Sequence, residues 1–180
     1  MITITTDDTE YYDDEKSEFI DIKGRSVELE HSLVSLSKWE SRWYKPFLGK
    51  DSKTDEELKD YIRCMTITKN VPENFYTNLS REILQEISNY IDNKMTATTF
   101  SDIHNSSRNP EIVTAELIYY WMISLNIPFE CQKWHLNRLL TLIRVCSIKN
   151  APSKKISKNS IFSRNTALNA ARRKQLNTKG

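Results

Sequence analysis

The stretch "EIVTAELIYYWMISLNIPF", residues Glu111 to Phe129, constrains the fold more than any other part of the chain. Wound as a helix, it is apolar on nearly every side: Ile112, Val113, Ala115, Leu117, Ile118, Tyr119, Tyr120, Trp121, Met122 and Ile123. Such a helix belongs in the middle of a bundle, where neighbours cover it all round. The alternative, a membrane span, needs ~18–20 apolar residues. This run is shorter and follows polar sequence, so no membrane partner is expected. Asn109-Pro110-Glu111 offers a cap, a proline for the first helical position and an early acid. Asn126 and Pro128 break the far end. The sequence therefore predicts a helix over about 110–125 as the most buried element of a mainly α protein. The expected architecture is a compact helical bundle with a small N-terminal β-hairpin or extended segment and charged tails.

Helix signals recur on both sides. Ser37 and Glu40 stand at capping-box spacing ahead of "KWESRWY", and Thr54 and Glu57 repeat that spacing before "ELKDYIRCM". In the latter, Leu58, Tyr61, Ile62 and Met65 recur at helical intervals on one face. Ser80 can cap "REILQEISNYID", whose stripe is Ile83, Leu84, Ile87, Tyr90 and Ile91. A last core helix is predicted over about 130–148, with Trp134, Leu139, Leu142, Ile143, Val145 and Cys146 inward and Lys133, Arg138 and Arg144 outward. "KMTATTFSDIHNSSRNP" is too rich in turn residues for a helix and reads as a connection.

The ends differ in character. Residues 1–20 are acidic and poor in core-forming residues and read as a flexible arm. In "IDIKGRSVELEHSLVS", Val27, Leu29, His31 and Leu33 alternate onto one face. With Ile20 and Ile22, they predict a small hairpin bending near Lys23-Gly24. Residues 21–150 make the expected helical core domain. Residues 151–180 make a basic tail whose thin apolar stripe, Ile161, Leu168 and Leu176, suits a helix formed on binding. Net charge is +2, yet residues 1–30 carry −7 and residues 131–180 carry +12. Oppositely charged ends can associate within a molecule or between copies, in a salt-sensitive way.

Little in the sequence points to a reaction centre. Three glycines in the whole chain leave no phosphate-cradling loop, and no Gly-x-Ser-x-Gly turn is present. Cys131 and His135 have the spacing of two metal ligands on one helix face. The remaining ligands would have to come from Cys64, Cys146, His104 or His31, with no Cys-x-x-Cys pair among them. The odd count of three scattered cysteines suits reduced thiols in a cytosol. The expectation is no enzyme, no catalytic residue, no cofactor and no metal. The basic tail supplies cations for phosphate contacts but few aromatics for base stacking.

The aromatic ridge Trp39, Trp43, Tyr44 and Phe47 is the other concentrated feature. Trp39 and Phe47 are expected to hold the segment to the core. Trp43 and Tyr44 on the flank are candidate partner anchors, as tryptophan and tyrosine often are at interfaces. Arg172, Arg173 and Lys174 in the tail complete the candidate partner-binding set.

The segments "LEHSLVSLSKWESRWYKPFLGK", "DYIRCMTIT", "YIDNKMTATTF", "EIVTAELIYYWMISLNIPFECQKWHLNRLLTLIRVCSIKN" and "LNAARRKQLNTKG" resemble small proteins of tailed bacteriophages, the tail assembly chaperones or virion-associated proteins. The similarity spans about residues 25–180. The resemblance implies binding to the tape-measure or tail-tube protein in the host cytoplasm during virion morphogenesis, and absence from the finished virion. The complete-looking core through residue 149 departs from the looser C-terminal regions of many such chaperones. Two alternatives therefore stay open: a structural head, neck or tail virion protein, and a nucleic-acid-binding packaging protein using the basic tail.

Overall fold

A computed structural model describes residues 1–13, 17–77, 79–100, 112–151 and 158–176. It is mainly α, with a small antiparallel β element at the N-terminus, as the sequence predicts. Two units are distinguished, Met1–Ile148 and Lys149–Gly180.

The first unit opens with four short strands: β1 (Ile2–Thr5), β2 (Thr9–Asp13), β3 (Glu18–Ile22) and β4 (Ser26–Leu29). β1 pairs with β4 and β2 with β3, both antiparallel. The two pairings share one register. Ile2 faces Leu29, Thr5 faces Ser26, Thr9 faces Ile22 and Asp13 faces Glu18, so partner numbers have the same sum throughout. The four strands are thus one long ribbon, interrupted midway where Thr6 N donates to Arg25 O at 3.0 Å. This corrects two expectations. The hairpin does not bend at Lys23-Gly24, and residues 1–20 are not an arm apart from the core. Ile4, four residues from the N-terminus, is buried beside Val27 and Leu29. The expected alternation of Val27, Leu29 and His31 onto one buried face does hold.

Gly24 sits at the ribbon's interruption, close against the backbone of Thr6 and Asp7. Its N–H donates to Asp8 Oδ1 at 2.6 Å. A Cβ there would overlap the Thr6 carbonyl oxygen and lie 2.8 Å from the Asp7 carbonyl carbon. Backbone atoms cannot swing aside as a side chain can. Gly24→Ala is therefore expected to cost about 1–3 kcal/mol in urea unfolding, the usual range for overpacking. An unchanged midpoint would show that the ribbon can part at this point without cost.

Helices follow in the order α1 (Leu33–Trp43), α2 (Asp55–Met65), α3 (Glu73–Thr77), α4 (Arg81–Asp92), α5 (Ala115–Ser124) and α6 (Leu136–Asn150). The Thr54–Glu57 capping box and the Ser80 cap both form. The Ser37–Glu40 box does not. α1 begins five residues earlier, with Ser32 as cap and Ser35 closing the box, because the chain turns into helix directly from the β4 face. Leu33 is consequently a helical core residue rather than a strand residue. The edge of β4 is extended by Ile67 N donating to Glu28 O at 2.9 Å and Glu30 N to Met65 O at 2.9 Å. These bonds tie the end of α2 to the ribbon.

α5 is shorter than predicted. Residues 112–114 are not helical, and the cap is Thr114, whose side chain accepts from Leu117 N. Asn109, Pro110 and Glu111 lie outside the described residues. Nor is α5 buried all round: Ala115, Ile118 and Met122 are in the core, whereas Tyr120 and Ile123 are more than 60% exposed. The predicted 130–148 helix is also divided. A 3-10 turn, Phe129–Lys133, precedes α6, and Trp134 between them is extended. Leu136, Leu139 and Ile143 form the buried stripe of α6, with Trp134, Leu142 and Cys146 half-buried around it. Arg138 points outward and lies over the Trp134 ring at 4.2 Å, and Arg144 over the Phe100 ring at 4.0 Å.

The second unit contains α7 (Lys158–Leu176). Its described side chains are exposed throughout. Among the described residues, no helix is long and apolar enough to cross a membrane.

Candidate protein-docking surface

The end of α1 carries the aromatic ridge. Trp39 and Trp43 are one helical turn apart, and their rings stack at a centroid distance of 6.2 Å. Trp39 is fully buried and its indole Nε1 donates to Glu57 O at 2.8 Å. Phe47 meets Trp39 edge-on at 5.0 Å and stacks on Tyr61 at 3.8 Å. Trp39 and Phe47 thus occupy the core positions expected of them.

The chain reverses between these anchors at Tyr44, which takes the left-handed conformation (φ 54°) and donates its N–H to Glu40 O. A side chain with a Cβ meets steric resistance there, and glycine or asparagine is the usual occupant. Glu40 holds the reversal closed. Its Oε1 accepts from Phe47 N at 2.8 Å and its Oε2 from Ala115 N at 2.7 Å. One carboxylate thereby caps α5 and fastens the loop after α1. Burial raises its pKa, opposed by the two backbone N–H groups that favour the charged form.

α2 supplies the remaining braces. Asp60 accepts from Trp43 Nε1 at 2.9 Å and pairs with Arg42 and Arg63. Glu57 pairs with Lys45 at 2.6 Å and accepts from Thr54 N at 2.8 Å. These bonds hold its carboxyl below the usual carboxylate range, the Lys45 contact most of all.

The four ridge residues therefore have three different fates. Trp39 and Phe47 are core. Trp43 is half-buried, tied by its indole nitrogen to a carboxylate the sequence does not single out. Tyr44 is 89% exposed, held outward by a braced turn. Arg172, Arg173 and Lys174 are exposed in the last turns of α7, where cations complement the helix dipole. Tyr44 and Trp43 share one unit; the three cations belong to the other.

Two further exposed apolar surfaces escape sequence reasoning. The outer face of α5 presents Tyr120 and Ile123, with Ile112 and Phe129 exposed nearby. Beside it, a shallow groove of about 380 Å³ is lined by Trp121, Leu125, Leu140, Ile143, Ile148 and the stem of Arg144. The signal was present: a helix apolar on every side has more apolar surface than one core contact can cover. A second groove, about 440 Å³, separates α2 from α4 over Tyr61, Ile87 and Ile91. Leu58 and Leu84, expected inward, line this groove and stand half-exposed.

Cys131 and His135 do not share a helix face, since the break at Trp134 falls between them. Cys64, Cys131 and Cys146 are free thiols, and burial raises the pKa of the first two. Among the described residues, no cluster of three or more His, Cys, Asp or Glu side chains could hold a metal ion. His104 lies outside the described residues. No protein-family model, curated protein or solved structure matches the chain significantly.

Proposed function

We propose that the protein is a non-enzymatic tail assembly chaperone of a tailed bacteriophage, holding tape-measure or tail-tube protein during virion morphogenesis in the host cytoplasm. The observation that carries this reading is Tyr44. It is a large aromatic side chain, almost wholly in water, on a turn braced by Glu40, Asp60 and Glu57. An aromatic anchor on a rigid mount loses little conformational entropy when a partner covers it. The sequence resemblance supplies the class of partner.

The test uses Tyr44→Gly and co-expression with tape-measure or tail-tube protein of the same phage. Glycine carries no steric penalty at this φ, so the fold is expected to be as stable as before, or up to about 1 kcal/mol more so. Capture of the partner, read by co-purification, is expected to fall about tenfold or more. Unchanged capture by a normally folded variant would remove Tyr44 from the interface.

The exposed, acid-free α7 favours a second reading, binding of nucleic acid in packaging. Eight phosphate contacts would give a logarithmic salt slope of roughly −7. Docking through aromatics would give a far shallower one.

A further inference from the structure

The formal charge of the chain is partitioned by its architecture. Residues 1–30, which form the β-ribbon and its end, hold ten acids and three bases. Residues 31–148, which form the helical core, hold fourteen acids and fourteen bases and are neutral. Residues 149–180 hold nine bases and no acid. All of the net negative charge thus resides in the ribbon segment, and all of the net positive charge in the segment bearing α7.

The outer half of the ribbon is built against its own stability. Of the five residue pairs between β2 and β3, two set acid against acid: Glu10 faces Asp21 and Asp13 faces Glu18. Like charges directly opposite one another destabilise a strand pair. A two-stranded ribbon without core support is marginal at best. Between the two acid pairs, Tyr12 faces Phe19, and their rings meet edge-on at 5.1 Å. Phe19 is 71% exposed and Tyr12 about half. By strand alternation the register puts the exposed aromatic pair on the same face as the Glu10–Asp21 positions, with the Asp13–Glu18 positions next to it on the opposite face. A cationic partner on that face would meet the acids at 10 and 21 and cover the rings, since arginine stacks on aromatic faces.

α7 has the complementary design. Arg164, Leu168 and Arg172 recur at helical spacing along one face, with Arg173 and Lys174 adjoining. Phe162 is 74% exposed. A helix polar nearly all round gains little from its own packing. The exposed aromatics and acids of the ribbon and the exposed cations of α7 each lack what the other supplies.

We propose that the acidic ribbon β2–β3 docks on the basic helix α7 of a second copy of this chain. The interface is heterologous, ribbon to helix, so an open assembly keeps one free ribbon at one end and one free helix at the other unless a ring closes. Assembly is then graded by concentration and salt rather than limited to a symmetric dimer.

Sedimentation velocity on the nuclease-treated full chain tests this at about 50 mM and about 500 mM salt, an interval over which screening of exposed charges changes strongly. The expected result is a weight-average mass that at least doubles with rising concentration in low salt and returns to the monomer value in high salt. Two charge-reversed variants supply the specific readout: Glu10→Lys with Glu18→Lys, and Arg172→Glu with Arg173→Glu and Lys174→Glu. Each alone is expected to stay monomeric in low salt, and an equimolar mixture to associate again, because the mixture pairs opposite charges. Circular dichroism melting of each variant checks folding. The ribbon variant replaces acid pairs by opposite-charge pairs, so it should fold at least as well.

A wild-type chain that stays monomeric at every concentration overturns the proposal. So does association that survives both variants, or mixed variants that fail to associate while both are folded. A monomer whose sedimentation coefficient falls in either variant would assign the contact to one chain. Association that appears only with nucleic acid present would assign α7 to that ligand.

Discussion

Replacing Trp39 by alanine is expected to remove about 3–5 kcal/mol from the unfolding free energy, the usual cost of truncating a buried tryptophan. Two losses combine. The indole is fully buried between Trp43 and Phe47, so its removal leaves a cavity under the end of α1. It also takes away the Nε1 donor to Glu57 O, whose residue braces the following loop through Lys45. Trp39→Phe separates the two effects. It keeps most of the ring volume and loses the donor, so about 1–3 kcal/mol is expected. Urea unfolding measures both. A cost below about 1 kcal/mol for the alanine variant would mean that the ridge is not part of the core.

The second large effect is a loss of stability in mild acid. His31 and His135 face each other in the core with ring centroids 5.1 Å apart. Tyr61 lends its hydroxyl to His31 Nδ1 at 2.5 Å, and His135 Nε2 lies 3.0 Å from Tyr90 O. Burial, with the second imidazole adding to it, lowers the His31 pKa to about 3, and burial lowers that of His135. The charged groups nearby are Glu30, which accepts from Tyr90 Oη at 2.6 Å, and the Met1 α-ammonium, 2.7 Å from Glu30.

A histidine lowered in the folded state takes up its proton first in the unfolded chain. Stability due to His31 is therefore whole above pH 6.5 and falls as pH drops toward 3. The loss is about 2 kcal/mol by pH 5, on the order of 4 kcal/mol near pH 3. His135 adds in the same direction. Glu40, whose pKa is raised, works the other way, because its folded form binds a proton more readily than the unfolded one. Unfolding free energy measured between pH 7 and pH 5 is expected to decline for the native chain. For His31→Gln, less stable at pH 7, the decline should be distinctly flatter. Parallel slopes would show that the histidine pair is not the source.

How much of this was legible beforehand depends on the range of the interaction. Thr54 and Ser80 announce helix starts because a cap satisfies N–H groups within three residues. The alternation of Val27, Leu29 and His31 announces a buried face because strand periodicity is local. Trp39 and Phe47 were readable as core because a short aromatic segment needs pinning. The brace on Trp43 was not readable, since Asp60 lies on another helix and one acid looks like any other in sequence. Ser32 is not singled out by sequence as the α1 cap because Ser37 offers the same local signal five residues on. The entry of the chain from β4 chose between them.

The sequence by itself determined the helical class, most helix boundaries within a few residues, and the separation of acidic and basic ends. Those follow from side-chain periodicity and formal charge, which need no knowledge of neighbours. Only the tertiary structure decided that residue 2 pairs with residue 29, that Glu40 closes the start of a helix 75 residues away, and which side of α5 is left in water. Each of these depends on which distant groups arrive at the same place. Periodicity shows which residues of an element share a face, and packing alone decides whether anything covers it.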